Sequence, residues 1–136
     1  MSNETTLTIV GNLTATPELR FAPSGIAVAN MTVAATPRYY DKQAGQWADG
    51  DTLFLRVTAW RQLAENAAES LSRGDRVVVT GRLRQKSYQT AEGEKRTGLE
   101  LHADELAPSL RYATVKVNKV TRDSGRDDEG DDGTPF

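Results

Sequence analysis

The clearest alternation of apolar and polar residues in the chain covers residues 52–60. A period of two is typical of a β-strand with two different faces. One face is apolar, which suits a packed core, and it carries Leu53, Leu55, Val57 and Ala59. The opposite face carries Phe54, Arg56, Thr58 and Trp60. Two large aromatic rings with a guanidinium between them distinguish this face from an ordinary solvated one.

A second alternating segment, residues 76–88, repeats this chemistry. From Gly81 onward one side carries three cations and an aromatic, namely Arg82, Arg84, Lys86 and Tyr88. Bases offer π-faces and the backbone that joins them is anionic, so aromatics interleaved with cations are typical of single-stranded nucleic-acid binding. The alternative is that these faces pack against a helix or a second subunit. Repetition of the pattern on two strands favours the binding surface.

The rest of the pattern predicts a small barrel. Residues 61–73 have apolar side chains at helical spacing and end before Gly74, a suitable C-cap. Residues 13–22 are punctuated by Pro17 and predict a loop with some extended backbone, and residues 36–51 contain Pro37, Gly45 and Gly50 and predict a long hairpin loop. Further strands are predicted at residues 7–10, 26–35 and 97–103, the last with Leu99, Leu101 and Ala103 inward. A helix between the third and fourth of five strands predicts an all-β OB-fold, a five-stranded Greek-key barrel that binds oligonucleotides on one face.

The long loop of residues 36–51 has an unusual aromatic and basic content for a loop. Such side chains can fold back onto the sheet. Beside the basic strands, however, they are predicted to extend the binding surface. The candidates in this loop are Arg38, Tyr39 and Trp47, and Arg61, which follows Trp60, is a further candidate cation.

Beyond the barrel, residues 112–120 alternate once more. Because a complete barrel leaves no place for an extra strand, this segment is predicted to pair with a neighbouring subunit. From Thr121 onward the chain is too polar to bury a core and is predicted to be disordered. The expected organisation is an OB domain at residues 1–110, a clamp strand at 111–120 and an acidic tail at 121–136.

Charge separates the barrel from the tail. The whole chain of 136 residues has a net charge of −2, but residues 123–136 contain six acids and one base. Residues 1–122 therefore contain 16 bases and 13 acids, a net charge of +3. A basic body with an acidic tail is typical of a protein whose tail competes with nucleic acid or recruits partners.

Several other classes of protein are disfavoured. Without cysteine, disulfides and thiolate metal sites are excluded. No apolar run is long enough to span a bilayer and no signal peptide precedes the barrel, so a cytoplasmic location is expected. A metal-dependent nuclease is disfavoured because the acids cluster only in the glycine-rich tail. No catalytic residue, metal or cofactor is expected, whereas an RNA-binding OB module of the cold-shock type remains an alternative.

The sequence closely resembles bacterial single-stranded-DNA-binding proteins (SSBs) of the actinobacterial type over residues 5–105. The motifs that carry this resemblance are Val10-Gly11-Asn12-Leu13, Pro17-Glu18-Leu19-Arg20, Ala27-Val28-Ala29-Asn30, Gly81-Arg82-Leu83-Arg84 and Pro135-Phe136. The resemblance implies non-catalytic binding and protection of single-stranded DNA in replication, recombination and repair. It also implies a nucleoid-associated homotetramer. Stacking is expected on Tyr39, Phe54, Trp60 and Tyr88.

The same resemblance assigns a role to the end of the tail. In the family, a tip of acids followed by Pro-Phe binds replication and repair enzymes. The residues expected to bind such partners here are Asp131, Asp132, Pro135 and Phe136.

Overall fold

The computed structural model describes residues 3–121, which form eight strands and one helix. The elements are β1 Thr5–Leu13, β2 Glu18–Phe21, β3 Ala27–Ala35, β4 Arg38–Asp41, β5 Gln46–Asp49, β6 Leu53–Trp60, α1 Arg61–Ser70, β7 Arg76–Gln89 and β8 Lys95–Pro108. Among the described residues, no helix is long and apolar enough to cross a membrane.

Five of these strands close into a ring. Strand β1 pairs with β7, then β8, β6 and β3 follow in order, and β3 returns to β1 through Asn12 opposite Ala34. All pairings in the ring are antiparallel except β6 with β8, which is parallel. Helix α1 connects the third and fourth ring strands in chain order. This arrangement confirms the predicted OB-fold.

The inward faces of the ring strands and one side of α1 form a single core. Alternation places Val33, Val57, Val79 and Leu101 at the centre, where each is fully buried. The small side chains of β3, including Ala29, let the strands approach closely. Helix α1 closes one end of the barrel with Ala64 and Ala67, and Leu71 follows it into the core.

Two glycines permit the close strand contacts that the ring requires. A Cβ atom on Gly11 would overlap the backbone oxygen of Ala34, at the seam where β1 meets β3. A Cβ atom on Gly81 would overlap the backbone oxygen of His102, beside the β-bulge between β7 and β8. Both glycines belong to the sequence motifs noted above, and both leave room for a neighbouring backbone.

The predictions were wrong at the margins of the core. Leu53 and Leu99 are 55% and 54% exposed, although the alternation placed both inward. Leu53 starts β6 opposite Ala35, at the last position of the β3–β6 pairing. Leu99 lies in the outer part of the β7–β8 hairpin, beyond the three β8 residues that pair with β6. Neither side chain therefore has a facing layer to bury it.

The extended backbone expected within residues 13–22 is β2, which pairs with β3 outside the ring, and the hairpin expected at residues 36–51 is formed by β4 and β5. The predicted end of the helix, by contrast, differs. Helix α1 ends at Ser70, because Leu71 turns to an extended backbone as its side chain enters the core. Gly74 is therefore not the C-cap and lies in the turn that follows, with φ of 90°.

The C-terminal predictions fall largely outside this barrel. Residues 113–121 form no strand within the single described chain, so their pairing with another subunit stays a prediction. Residues 122–136, which include the predicted tail and the predicted partner-binding tip, lie outside the described residues.

Candidate nucleic-acid interface

Strand register brings the predicted binding residues of β6 and β7 onto one outer surface. Arg56 of β6 lies opposite Glu100 of β8, which in turn lies opposite Arg84 of β7. Two residues further along β8, His102 lies between Thr58 and Arg82. Because opposite residues in paired strands point to the same side, this outer surface is continuous from β6 through β8 to β7.

Three predicted stacking residues lie exposed on this surface. Phe54 is 63% exposed, Trp60 41% and Tyr88 53%. Thr58, between the first two, is buried and donates a hydrogen bond to Asn30 Oδ1 at 3.3 Å. The Tyr88 ring lies over Gly98, because a Cβ atom there would be 3.6 Å from Tyr88 Cε1. The exposed rings therefore rest on an ordered sheet, as stacking platforms require.

The aromatics of the β4–β5 hairpin divide between its two faces. Tyr40 lies opposite Trp47, and their rings pack edge to face with centroids 5.6 Å apart. Tyr39 is one residue away and so points to the other face. Both Tyr39 and Trp47 are more than half exposed. A single-stranded nucleic acid that contacts both rings must therefore pass around the hairpin.

The predicted cations fall into two sets. Three are held by carboxylates: Arg38 by Asp49, Arg82 by Asp104 and Arg84 by Glu4, at N–O distances of 3.2, 3.3 and 3.2 Å. Within residues 3–121 no ion pair involves the other three, which are Arg56, Arg61 and Lys86. These three are exposed and offer unpaired positive charge to phosphate.

Arg61 occupies an unusual backbone position. Its φ is 61°, in the left-handed region that L-residues other than glycine rarely adopt. Trp60 before it is fully extended and α1 begins at Arg61, so the chain turns from strand to helix without a loop. Backbone strain of this kind is concentrated at functional sites. Here the strained residue is the arginine at the junction of β6 and α1, next to Trp60 in the chain.

Strand β8 contributes acidic and histidine side chains that the sequence analysis did not assign to the interface. His102 Nε2 lies 3.1 Å from Glu100 Oε1, and both side chains are largely covered. The His102 ring also lies beside Trp60. The sequence signal was the alternation of Glu100, His102 and Asp104 on one side of β8, opposite the basic residues of β7.

A second feature lies at the seam of the ring. A cavity of about 500 Å³ is bordered by β1, the end of β3, the start of β6 and Arg76 of β7. The centroid of the Tyr112 ring lies 5.6 Å from the guanidinium carbon of Arg76 and 5.7 Å from that of Arg111. A hydrogen bond and positive charge from Arg111 lower the pKa of Tyr112, with a smaller effect of Arg76. These contacts hold the chain that follows β8 against the barrel.

Residues 3–121 contain no group of three or more acidic or histidine side chains that could hold a metal ion. The predicted partner-binding residues Asp131, Asp132, Pro135 and Phe136 lie outside this range.

Comparison with known proteins gives consistent matches. The family described as "Single-strand binding protein family" matches residues 4–109. The single-stranded DNA-binding protein of Mycobacterium tuberculosis (strain ATCC 25618 / H37Rv) is 66% identical over 125 residues, which are 92% of this chain and 76% of that protein. The protein of the same name from Corynebacterium glutamicum is 58% identical over 119 residues, 88% of this chain and 53% of that protein.

A solved structure matches as well. The crystal structure of a small single-stranded DNA-binding protein from Streptomyces coelicolor superimposes with a TM-score of 0.71 at 39% sequence identity. The match covers 80% of this chain and 97% of that one. Sequence and structure comparisons thus lead to the same family.

Proposed function

Since the chain belongs to the single-strand binding protein family, we propose that it binds and protects single-stranded DNA without catalysing a reaction. The observation that carries this proposal is the outer face of β6, where exposed Phe54 and Trp60 flank Arg56, which forms no ion pair within residues 3–121. Strand β7 adds Lys86 and Tyr88 along the same surface.

Two contributions to the binding free energy do not depend on base sequence. Each stacked base contributes about 1–3 kcal/mol. Each phosphate neutralised by a cation releases counterions, which favours binding at low salt. Because duplex bases are not free to stack on protein rings, the protein binds the unpaired state better and so melts hairpins. The biological setting is replication, recombination and repair, in the cytoplasm and on the nucleoid.

The assembly proposed is a homotetramer in which residues 111–120 clamp neighbouring subunits. Supporting this, Val115 and Val117, on one side of the alternating segment, are 48% and 78% exposed in the single chain. Alternating apolar residues exposed to this extent favour burial against another chain. The mass of the intact protein in solution tests the assembly.

Recruitment of replication and repair enzymes is assigned to Asp131, Asp132, Pro135 and Phe136. An apolar pocket rimmed by arginine or lysine would accept the Phe136 ring and pair with the aspartates. The alternative is an acidic tail that only aids solubility. Deletion of Pro135 and Phe136 separates the two, because only recruitment predicts loss of captured enzymes at unchanged DNA affinity.

The test of DNA binding compares equal-length oligonucleotides. Single-stranded DNA, duplex DNA and single-stranded RNA of matched sequence are titrated while intrinsic fluorescence is followed. The proposal predicts preference for single-stranded DNA over the duplex. Tighter binding to RNA than to DNA would favour the cold-shock type of module instead.

A further inference from the structure

The basic residues that β7 contributes to the proposed interface differ in whether a carboxylate binds them. Lys86 is unpaired within residues 3–121, whereas Arg84, two residues earlier on the same face, is held by Glu4. Both belong to the surface assigned to phosphate contact. A cation that already has an anionic partner must exchange it before it can bind phosphate.

Glu4 holds the part of Arg84 that a phosphate would use. Arg84 Nη2 donates a hydrogen bond to Glu4 Oε2 at 3.2 Å. The terminal nitrogens of arginine can bind carboxylate or phosphate in a fork, so Glu4 competes with phosphate for the Nη2 donor and for the guanidinium charge. Both side chains remain accessible, 45% for Arg84 and 33% for Glu4, so DNA can reach the pair.

The fold places Glu4 at this position. The β1–β7 pairing begins with Thr5 opposite Leu83, so Glu4 is the next residue beyond the paired strand and lies beside Arg84. The strand pairing therefore holds Glu4 next to the proposed interface.

We propose that Glu4 is an intramolecular competitor of DNA phosphate for Arg84 and lowers the affinity of the interface. This rests on the proposed binding of single-stranded DNA. Arg84 can bind phosphate through both terminal nitrogens only after the carboxylate is displaced from Nη2. Part of the favourable interaction with phosphate then offsets the loss of the ion pair. Glu4 thereby holds DNA affinity below the value that the cations alone would give, which eases release of the strand.

The neighbouring pair differs in geometry. Arg82 presents its Nε to Asp104 at 3.3 Å, and that Nε makes no hydrogen bond within the described part of the chain. The contact to Asp104 is thus made by Nε, whereas Glu4 binds a terminal nitrogen of Arg84. Removal of Asp104 is therefore expected to matter less than that of Glu4.

The test is Glu4→Gln, which removes the charge and preserves the shape. An exposed ion pair contributes about 0.2–1 kcal/mol, so affinity for oligo-dT at low salt should rise about 1.4- to 5-fold. The plot of log K against log salt should steepen by up to about 0.7 as one more phosphate is neutralised without exchange. Glu105→Gln is the matched control: it removes one exposed charge from β8 where residues 3–121 offer no ion-pair partner.

A double-mutant cycle separates competition from a general loss of negative charge. In an Arg84→Ala background, Glu4→Gln should have no more effect than Glu105→Gln. An equal gain from both glutamine variants in the native background, or a gain from Glu4→Gln that survives Arg84→Ala, would overturn the proposal. Absence of binding by the unmodified protein would instead contradict the proposed function.

Discussion

The Trp60 ring lies beside the His102 ring, with centroids 6.3 Å apart and planes inclined by 42°. His102 is itself within 3.1 Å of Glu100, so the ring beside Trp60 is held by a carboxylate. Trp60, the proposed stacking platform at the end of β6, is therefore supported from β8, and the proposed interface depends on the parallel β6–β8 pairing.

Trp60→Ala should weaken binding to oligo-dT by about 1–3 kcal/mol, because one stacking platform is lost. His102→Ala should weaken it less, since the ring that stacks remains but loses its lateral support. Fluorescence anisotropy of labelled oligo-dT measures both, and circular dichroism checks the fold. Unchanged affinity of correctly folded Trp60→Ala would exclude this face as the interface.

Salt dependence should distinguish paired from unpaired cations. Arg56→Ala and Lys86→Ala should each make the slope of log K against log salt shallower by about 0.7, because each removes a phosphate contact. Arg38→Ala should change the slope less, because Arg38 is already paired with Asp49. Titrations at several salt concentrations give the slopes. A loss of affinity at constant slope for Arg56→Ala would assign Arg56 to base stacking or to the fold.

Gly81→Ala should destabilise the barrel by about 1–3 kcal/mol, the range typical of overpacking. Its Cβ would meet the His102 backbone, which belongs to the strand that supports Trp60. The matched control is Gly98→Ala, whose Cβ would make only an ordinary contact with the Tyr88 ring at 3.6 Å. Thermal melting compares the two, and similar melting temperatures would contradict the close β7–β8 approach.

A comparison of Arg61→Gly with Arg61→Ala should separate the effect of backbone strain on stability from the effect of the positive charge on DNA affinity. A left-handed backbone costs an L-residue about 1–2 kcal/mol, which glycine avoids. The glycine variant should therefore melt at a higher temperature than the alanine variant. Both should lose affinity for oligo-dT equally, because both lose the cation. A glycine variant that melts below the alanine variant would contradict the left-handed turn at Arg61.

Removal of the chain after Ser109 tests the proposed clamp. It deletes Tyr112 with its contacts to Arg76 and the exposed alternating segment that follows. The melting temperature should fall and the assembly should weaken, while each barrel still binds DNA. Light scattering gives the mass. Identical mass and melting temperature before and after truncation would exclude a clamp.

The sequence predicted the barrel because its strands have one apolar face each and the ring buries that face. Val57 and Val79 alternate as expected, and the Arg61 helix follows directly on its strand. The exceptions lie where strands run past their neighbours. Leu53 and Leu99 have the apolar pattern but no covering layer, and a local pattern carries no information about where a distant strand ends.

The candidate site was predictable in part for a similar reason. The aromatic and basic residues on β6 and β7 could be predicted from the alternation within each strand. The carboxylates that hold the arginines come from elsewhere, since Glu4 lies 80 positions from Arg84 in the chain. Only the strand order of the ring brings such residues together. The opposite facing of Tyr39 and Trp47 likewise follows from hairpin register, which their spacing alone does not give.

The most direct test of the proposed function is a fluorescence titration of the Trp47→Phe variant, in which Trp60 is the remaining tryptophan. Single-stranded oligo-dT and a matched-length duplex are added in parallel. If single-stranded DNA stacks on the β6 face, the Trp60 emission is quenched by oligo-dT at concentrations far below those at which the duplex has any effect. Equal responses to single strand and duplex, or bound oligo-dT without quenching, would contradict the account.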